Sequence, residues 1–217
     1  MPRHSLPDTA RFIQENLPVL PAPGVSEIIL HKATPGSGLH RLLGPDSPPP
    51  YWAHWWGGGL ALARYVLDHP QCVHGQRVLD LGSGSGIVAI AAAMAGASEV
   101  HAAETDAIAL TAIRLNATAN AAVISAFHGD VTAGEPMPVD VVLVGDLFYE
   151  RALAKRVNAY LDRCLETGIH VLIGDPLRAH LPRTRLQPLA EYRVADFGSG
   201  EENRPAAVFA LQRETAS

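Results

Sequence analysis

Residues 78–92 read VLDLGSGSGIVAIAA. A short apolar run enters a glycine-rich turn, and an alanine-rich apolar stretch leaves it and stops at Gly96. A brief apolar run closed by glycines reads as a buried strand, and the stretch over 87–95 has helical length. The quotation is therefore strand, tight loop, helix. Outward from it the same alternation continues. Strand-like runs lie at 99–103, 124–128, 140–145 (DVVLVG) and 170–174, and helical patterns at 108–120 and 151–165. In the last of these Leu153, Val157, Leu161, Cys164 and Leu165 form one apolar stripe. A preceding helix carries Leu60, Ala63 and Leu67 at helical spacing, and His69-Pro70 ends it. Two final strands, 190–197 and 206–213, flank the turn-like GSGEENRP.

Alternating strands and helices imply an α/β fold with a mostly parallel sheet covered on both faces. The closing hairpin predicts one antiparallel strand at the edge. Ligands of such sheets bind at the carboxyl ends of the strands. The loops after Leu81, Ala103, His128, Gly145 and Gly174 are therefore the candidates for function.

Residues 1–57 read differently. Asp8 or Thr9 is placed to cap a short helix ending near Pro18. The runs 26–32 and 39–43, joined by TPGSG, predict a hairpin. GPDSPPPYW, at 44–52, is excluded from helices and central strands by its prolines. This segment is too small to hold a core alone, so 1–57 is an N-terminal extension and 58–217 the domain proper.

The bulk numbers exclude several classes. Of 217 residues 47% are apolar and 18% charged, which suits one compact domain. A net charge of -5 with no basic run argues against nucleic acid as a partner. Cys72 and Cys164 are far apart and lack a CxxC neighbour, so neither a zinc site nor a disulfide framework is expected. The ten histidines show no HxH or HExxH spacing, and no metal is expected. No apolar stretch has membrane-spanning length, and MPRHSLPDTARFIQENLP lacks the apolar core of a secretory signal. A cytoplasmic monomer is the expectation.

The loop itself separates two chemistries. A dinucleotide fingerprint needs a third glycine at position 87, which is Ile87. Asp80 at the strand end would repel a pyrophosphate and suit a cation. S-adenosylmethionine carries an ammonium and a sulfonium and no phosphate. Gly82, Ser83, Gly84 and Gly86 then become its backbone cradle, because glycine lets a ligand approach the main chain. Glu104, beside Thr105, lies about twenty residues beyond the loop, where a carboxylate accepts from ribose hydroxyls. Asp106 is placed as the N-cap of the next helix. Asp130 either accepts from the adenine amino group or serves a turn; both readings stand. An NAD-dependent oxidoreductase is the alternative of another class. Ile87 and the absence of a Tyr-x-x-x-Lys pair argue against it.

VLDLGSGSG, AAETDAIA, HGD and GDLFY, in this order, resemble the class I methyltransferases across residues 52–213. The resemblance implies a Rossmann-like seven-stranded sheet of order 3-2-1-4-5-7-6. Four longer stretches, PPPYWAHWWGGGLALARYVLDHP, LDLGSGSGIVAIAAAMAGAS, VLVGDLFYE and VLIGDPLR, resemble the electron transfer flavoprotein beta-subunit lysine methyltransferases, a family with bacterial members. That implies lysine methylation of the flavoprotein beta subunit, with a ribosomal protein as the competing acceptor. Asp146 would then contact the target ammonium and border the cofactor, while Phe148 and Tyr149 wall the lysine channel. Trp55 or Trp56 would close over the methionine end of the cofactor, and Asp175 would line the substrate mouth. The plainer readings are a helix-capping Asp146, a core Phe148 and a tryptophan plug at 52–56. Glu201 and Glu202 would either attract a basic protein segment or be solvated loop acids with no specific role.

Overall fold

A computed structural model describes residues 6–43, 49–197 and 201–213. Seven strands form one sheet: β3 (Arg77–Leu81), β4 (Glu99–Glu104), β5 (Ser125–His128), β6 (Val141–Gly145), β7 (His170–Asp175), β8 (Leu186–Asp196) and β9 (Glu201–Leu211). Their order is β5-β4-β3-β6-β7-β9-β8, which is 3-2-1-4-5-7-6 when the strands of this sheet are counted alone. The pairs among β3 to β7 are parallel, whereas β9 runs antiparallel to both β7 and β8. The antiparallel strand is thus one place in from the edge, inserted between β7 and β8, and not at the edge itself. The turn at 198–200 and the side chains of Glu201 and Glu202 lie outside the described residues.

Strand side chains alternate between two cores, as a pleated backbone requires. Val78, Val100 and Leu143 pack with α2 (Gly57–Asp68) and α3 (Ile87–Met94). Leu79, Leu81, Val142 and Val144 point the other way, onto Val157, Leu161 and Cys164 of α5 (Arg151–Glu166). The apolar stripe expected on α5 is therefore the face that covers the sheet.

The extension is built otherwise than its sequence suggests. Helix α1 (Leu6–Asn16) begins ahead of Asp8, placing that acid in its first turn instead of at the cap. The hairpin pairs β1 (Val19–Ala22) with β2 (Val25–His31), and Leu39–Arg41 is a short helical turn. Pro21 lies within β1, opposite Ile29, where a strand with a free edge accommodates a residue that cannot donate. Gly24, at φ 73°, makes the turn.

β2 docks on α4 (Ala107–Ala119) through two asparagine amides. Asn120 Oδ1 accepts from Ile29 N at 2.9 Å and its Nδ2 donates to Ile29 O at 2.6 Å. Asn116, fully buried, accepts from His31 N at 2.8 Å and donates to Ser85 O at 2.8 Å. The side chains of a helix thus satisfy strand and loop groups that burial would otherwise strand, at about 1–3 kcal/mol each. Asn116→Ala is expected to lower unfolding free energy by about 2–4 kcal/mol in urea titrations, with an unchanged slope. A loss below about 0.5 kcal/mol would show that the amide is not bearing this strain.

Candidate active site

The carboxyl ends of β3 to β6 and the segment around Trp52, Trp55 and Trp56 enclose one cleft of about 600 Å³. Its floor is the glycine loop. Gly82 and Gly84 take φ 68° and 55°, values that L side chains rarely adopt. A Cβ on Gly82 would also fall 2.6 Å from Leu147 Cδ2, whereas one on Gly84 would meet only the Gly82 carbonyl, 4.0 Å away. Gly84 is thus the point where the main chain is open to a ligand. Gly86 has φ 84° and starts α3, but it faces Ile113 and does not border the cleft. The turn role of this glycine is present in the structure.

Two carboxylates hold this loop. Asp80 is buried, and its Oδ2 accepts from Ser83 Oγ at 2.5 Å and from Ala89 N at 3.1 Å. Burial pushes its pKa up to about 7, against the pull of those two donors. Glu104, at the end of β4, accepts from Gly84 N at 2.8 Å, Thr105 N at 2.7 Å and Asp106 N at 3.0 Å. Glu104 and Thr105 both border the cleft. Asp106 caps α4 by accepting from Ile108 N at 2.8 Å, as its position predicts. Asp130 accepts from Thr132 N at 2.9 Å and stands 3.6 Å from Arg156, at the cleft wall. The turn role of Asp130 is therefore present in the structure.

The motif after β6 divides its side chains between cleft and core. Asp146 has φ 62° and donates its N–H to Gly174 O at 3.1 Å. Its carboxylate accepts from Gly59 N at 2.6 Å and pairs with Arg178 Nη1. The same nitrogen lies 3.7 Å from Asp175 Oδ2, and Asp175 Oδ1 accepts from Arg178 N at 2.6 Å. Burial pushes the Asp146 carboxyl above the usual aspartate range, while Arg178 and the Gly59 amide pull it back. The capping alternative fails: α5 is capped by Glu150, which accepts from Ala152 N at 3.1 Å. Asp146 lies too far upstream to reach that turn. A Cβ on Gly58 would collide with the Gly174 carbonyl, so the glycines at the head of α2 let it seat against Asp146.

Phe148 is fully buried in the core under α5 and does not reach the cleft. The channel-wall reading of Phe148 is therefore corrected, and its neighbour Leu147 is the residue that borders the cleft. Tyr149 is half-exposed at the mouth, 5.7 Å from Tyr51 between ring centres. Asp175 is also corrected: it is wholly buried beneath Arg178, where burial pushes its pKa up to about 6, and it lines no mouth. Trp52 is buried against α1 and α4, whereas Trp55 and Trp56 are part-exposed on the cleft wall. Plug and wall are thus both present, on different tryptophans. Arg178 and Lys32 also border the cleft. Arg178 was readable as the only cation in VLIGDPLR. Lys32 gave no signal beyond ending a strand-like run.

The open Gly84, the Glu104 carboxylate and the apolar Trp55 and Leu147 walls fit a nucleoside carrying a positively charged amino-acid tail. Comparison with known proteins agrees. A family model described as ribosomal protein L11 methyltransferase (PrmA) matches residues 62–147, the cofactor half of the domain. The putative RNA methyltransferase PH1948 of Pyrococcus horikoshii superposes with a TM-score of 0.56 over 81% of this chain and 95% of that one. At 17% identity that likeness shows the fold alone. The electron transfer flavoprotein beta subunit lysine methyltransferase of Xenopus laevis is 42% identical over 201 residues, 88% of this chain and 81% of that one. The Homo sapiens enzyme of the same name is 39% identical over 202 residues, 88% of this chain and 76% of its own length. This chain belongs to the electron transfer flavoprotein beta subunit lysine methyltransferase family, and it is an S-adenosylmethionine-dependent protein-lysine methyltransferase.

Proposed function

We propose that the acceptor is a lysine side chain of the electron transfer flavoprotein beta subunit. The observation that carries this is the reach of the similarity: relatives named for that acceptor align across the extension and the acceptor end of the cleft, not only the cofactor half. The match to the ribosomal-protein family stops at residue 147, within the motif after β6. A cytoplasmic monomer that binds neither membrane nor nucleic acid completes the proposal, checked by fractionation and gel filtration.

When bound, S-adenosylmethionine supplies a methyl group already activated on a sulfonium. Gly82, Ser83 and Gly84 would hold it by their backbone, Glu104 and Thr105 at the ribose, Asp130 at the adenine amino group. Asp80 keeps the loop in shape, and Trp55 and Trp56 cover the methionine end. The chain's remaining task is to present a neutral amine in line with the methyl. A free lysine, with a pKa of about 10.4, arrives protonated. Desolvation against Leu147 and the aromatic rim favours losing that proton. Asp146 draws the ammonium in and orients it. Because Arg178 already shares that carboxylate, Asp146 binds the lysine less tightly than a bare aspartate would and is a positioning group first. Burial pushes the Tyr149 phenol above its ordinary pKa, so it stays protonated and acts as a wall, not a base.

Incubation of the protein with labelled S-adenosylmethionine and an extract of cells lacking it tests the acceptor. Label is expected on a band of flavoprotein beta-subunit size; label confined to ribosomal bands would overturn the proposal. Asp146→Ala is expected to cut turnover by about 10²-fold or more, with donor affinity changed only a few-fold. Undiminished transfer with full donor binding would remove Asp146 from this role. Tyr149→Phe should leave kcat/KM within about threefold, while Tyr149→Ala should lower it about 3- to 30-fold through a higher KM. A large loss in the Phe variant would mean that the hydroxyl takes part.

A further inference from the structure

Lys32 follows directly on β2 and is 1% exposed, yet it forms part of the cleft wall. Its Nζ donates to the Trp52 carbonyl at 2.9 Å and to the His54 carbonyl at 2.7 Å. It also stands 4.7 Å from the centre of the Trp55 ring. An ammonium has three donors, and carbonyls take two of them. Burying a cation without an anion is costly, and a strut that merely held the tryptophan segment could be built from neutral groups.

The other cations of the cleft are matched. Arg178 pairs with Asp146, Arg204 with Asp196 at 3.3 Å, and Arg156 with Asp130 at 3.6 Å. Lys32 has no carboxylate partner among the described residues, and burial alone pulls its pKa down to about 7. The neighbouring Trp52, packed against α1 and α4, also borders the cleft, and its buried indole N–H likewise has no acceptor among the described residues. The head of α3 is close to this wall, because Asn116 joins His31 to Ser85, two residues before that helix begins. A helix start carries partial positive charge. Ammonium and helix start give the cleft an anion-seeking stretch of wall, while Asp146 and Glu104 are carboxylates elsewhere in its lining.

The methyl donor has one anionic group, the carboxylate of its amino-acid end. We propose that Lys32 binds that carboxylate, with the Trp52 N–H beside it as a second donor. Donor binding then gives the buried ammonium its missing counter-ion and ties the extension to the loaded cleft. The pairing also sets the direction of the donor: carboxylate toward β2, sulfonium toward Asp146.

Calorimetric titration with S-adenosylhomocysteine and its decarboxylated analogue, which keeps nucleoside, thioether and amine, tests the assignment. The unmodified protein is expected to prefer S-adenosylhomocysteine by roughly tenfold or more, as for a charge-assisted hydrogen bond in a buried site. In Lys32→Met that preference should shrink to about twofold or less, with the decarboxylated analogue bound as before. Equal weakening of both ligands in the variant would make Lys32 a structural strut and overturn the proposal. So would a preference that the variant keeps. Lack of any preference in the unmodified protein overturns it too, and that measurement does not depend on the variant folding.

Discussion

The glycine loop has to satisfy its own backbone while leaving one face open. It does so with partners from neighbouring elements. The Ala103 carbonyl at the end of β4 takes the N–H groups of Gly82 and Ser83, at 3.0 and 3.1 Å. Glu104 takes that of Gly84, and the Asn116 amide of α4 reaches the Ser85 carbonyl. Asp80 closes the inside, joining Ser83 to the first turn of α3. A buried amide or carbonyl left unpaired costs about as much as a lost hydrogen bond, so these partners must all be in place for the loop to keep its shape. The fold of the sheet and the competence of the donor site are therefore one problem, and Asn116 brings the extension into it.

What the sequence made legible follows from that economy of local rules. β3 and β6 were readable as short apolar runs buried on both faces, and α5 by an apolar stripe at intervals of three to four residues. Asp106 was readable as a cap because the helix starts immediately after it. Asp146 was not readable in the same way. Its positive φ breaks the strand alternation just after β6, so Leu147 faces the cleft and Phe148 the core. The sequence alone gives no sign of that backbone reversal, since aspartate enters the left-handed region far less often than glycine. The hairpin was expected between 26–32 and 39–43, and only the first of these runs is a strand; its partner is 19–22, in a two-stranded ribbon whose free edge tolerates Pro21.

The long-range pairs were the least visible. Arg178 sits 32 residues from Asp146 in sequence, and the parallel crossover from β6 to β7 brings them together. Asn116 is 85 residues from His31. No local pattern announces such partners; each becomes necessary only when the backbone has buried a group that needs one.

If Asp146 receives the acceptor lysine as proposed, the same reasoning bears on how one cleft could both attract it and let it react. A lone buried carboxylate would bind an ammonium tightly and raise its pKa, which opposes attack on the methyl. Removing the carboxylate would leave nothing to draw the charged lysine out of water. Arg178 sets an intermediate: its guanidinium offsets the Asp146 charge without filling every acceptor position, and Asp175 beneath it holds the guanidinium in place. The Gly59 amide fixes the second Asp146 oxygen. On the proposed acceptor role, attraction would be moderated by this fixed ion pair, and the proton would be lost through desolvation against the aromatic rim.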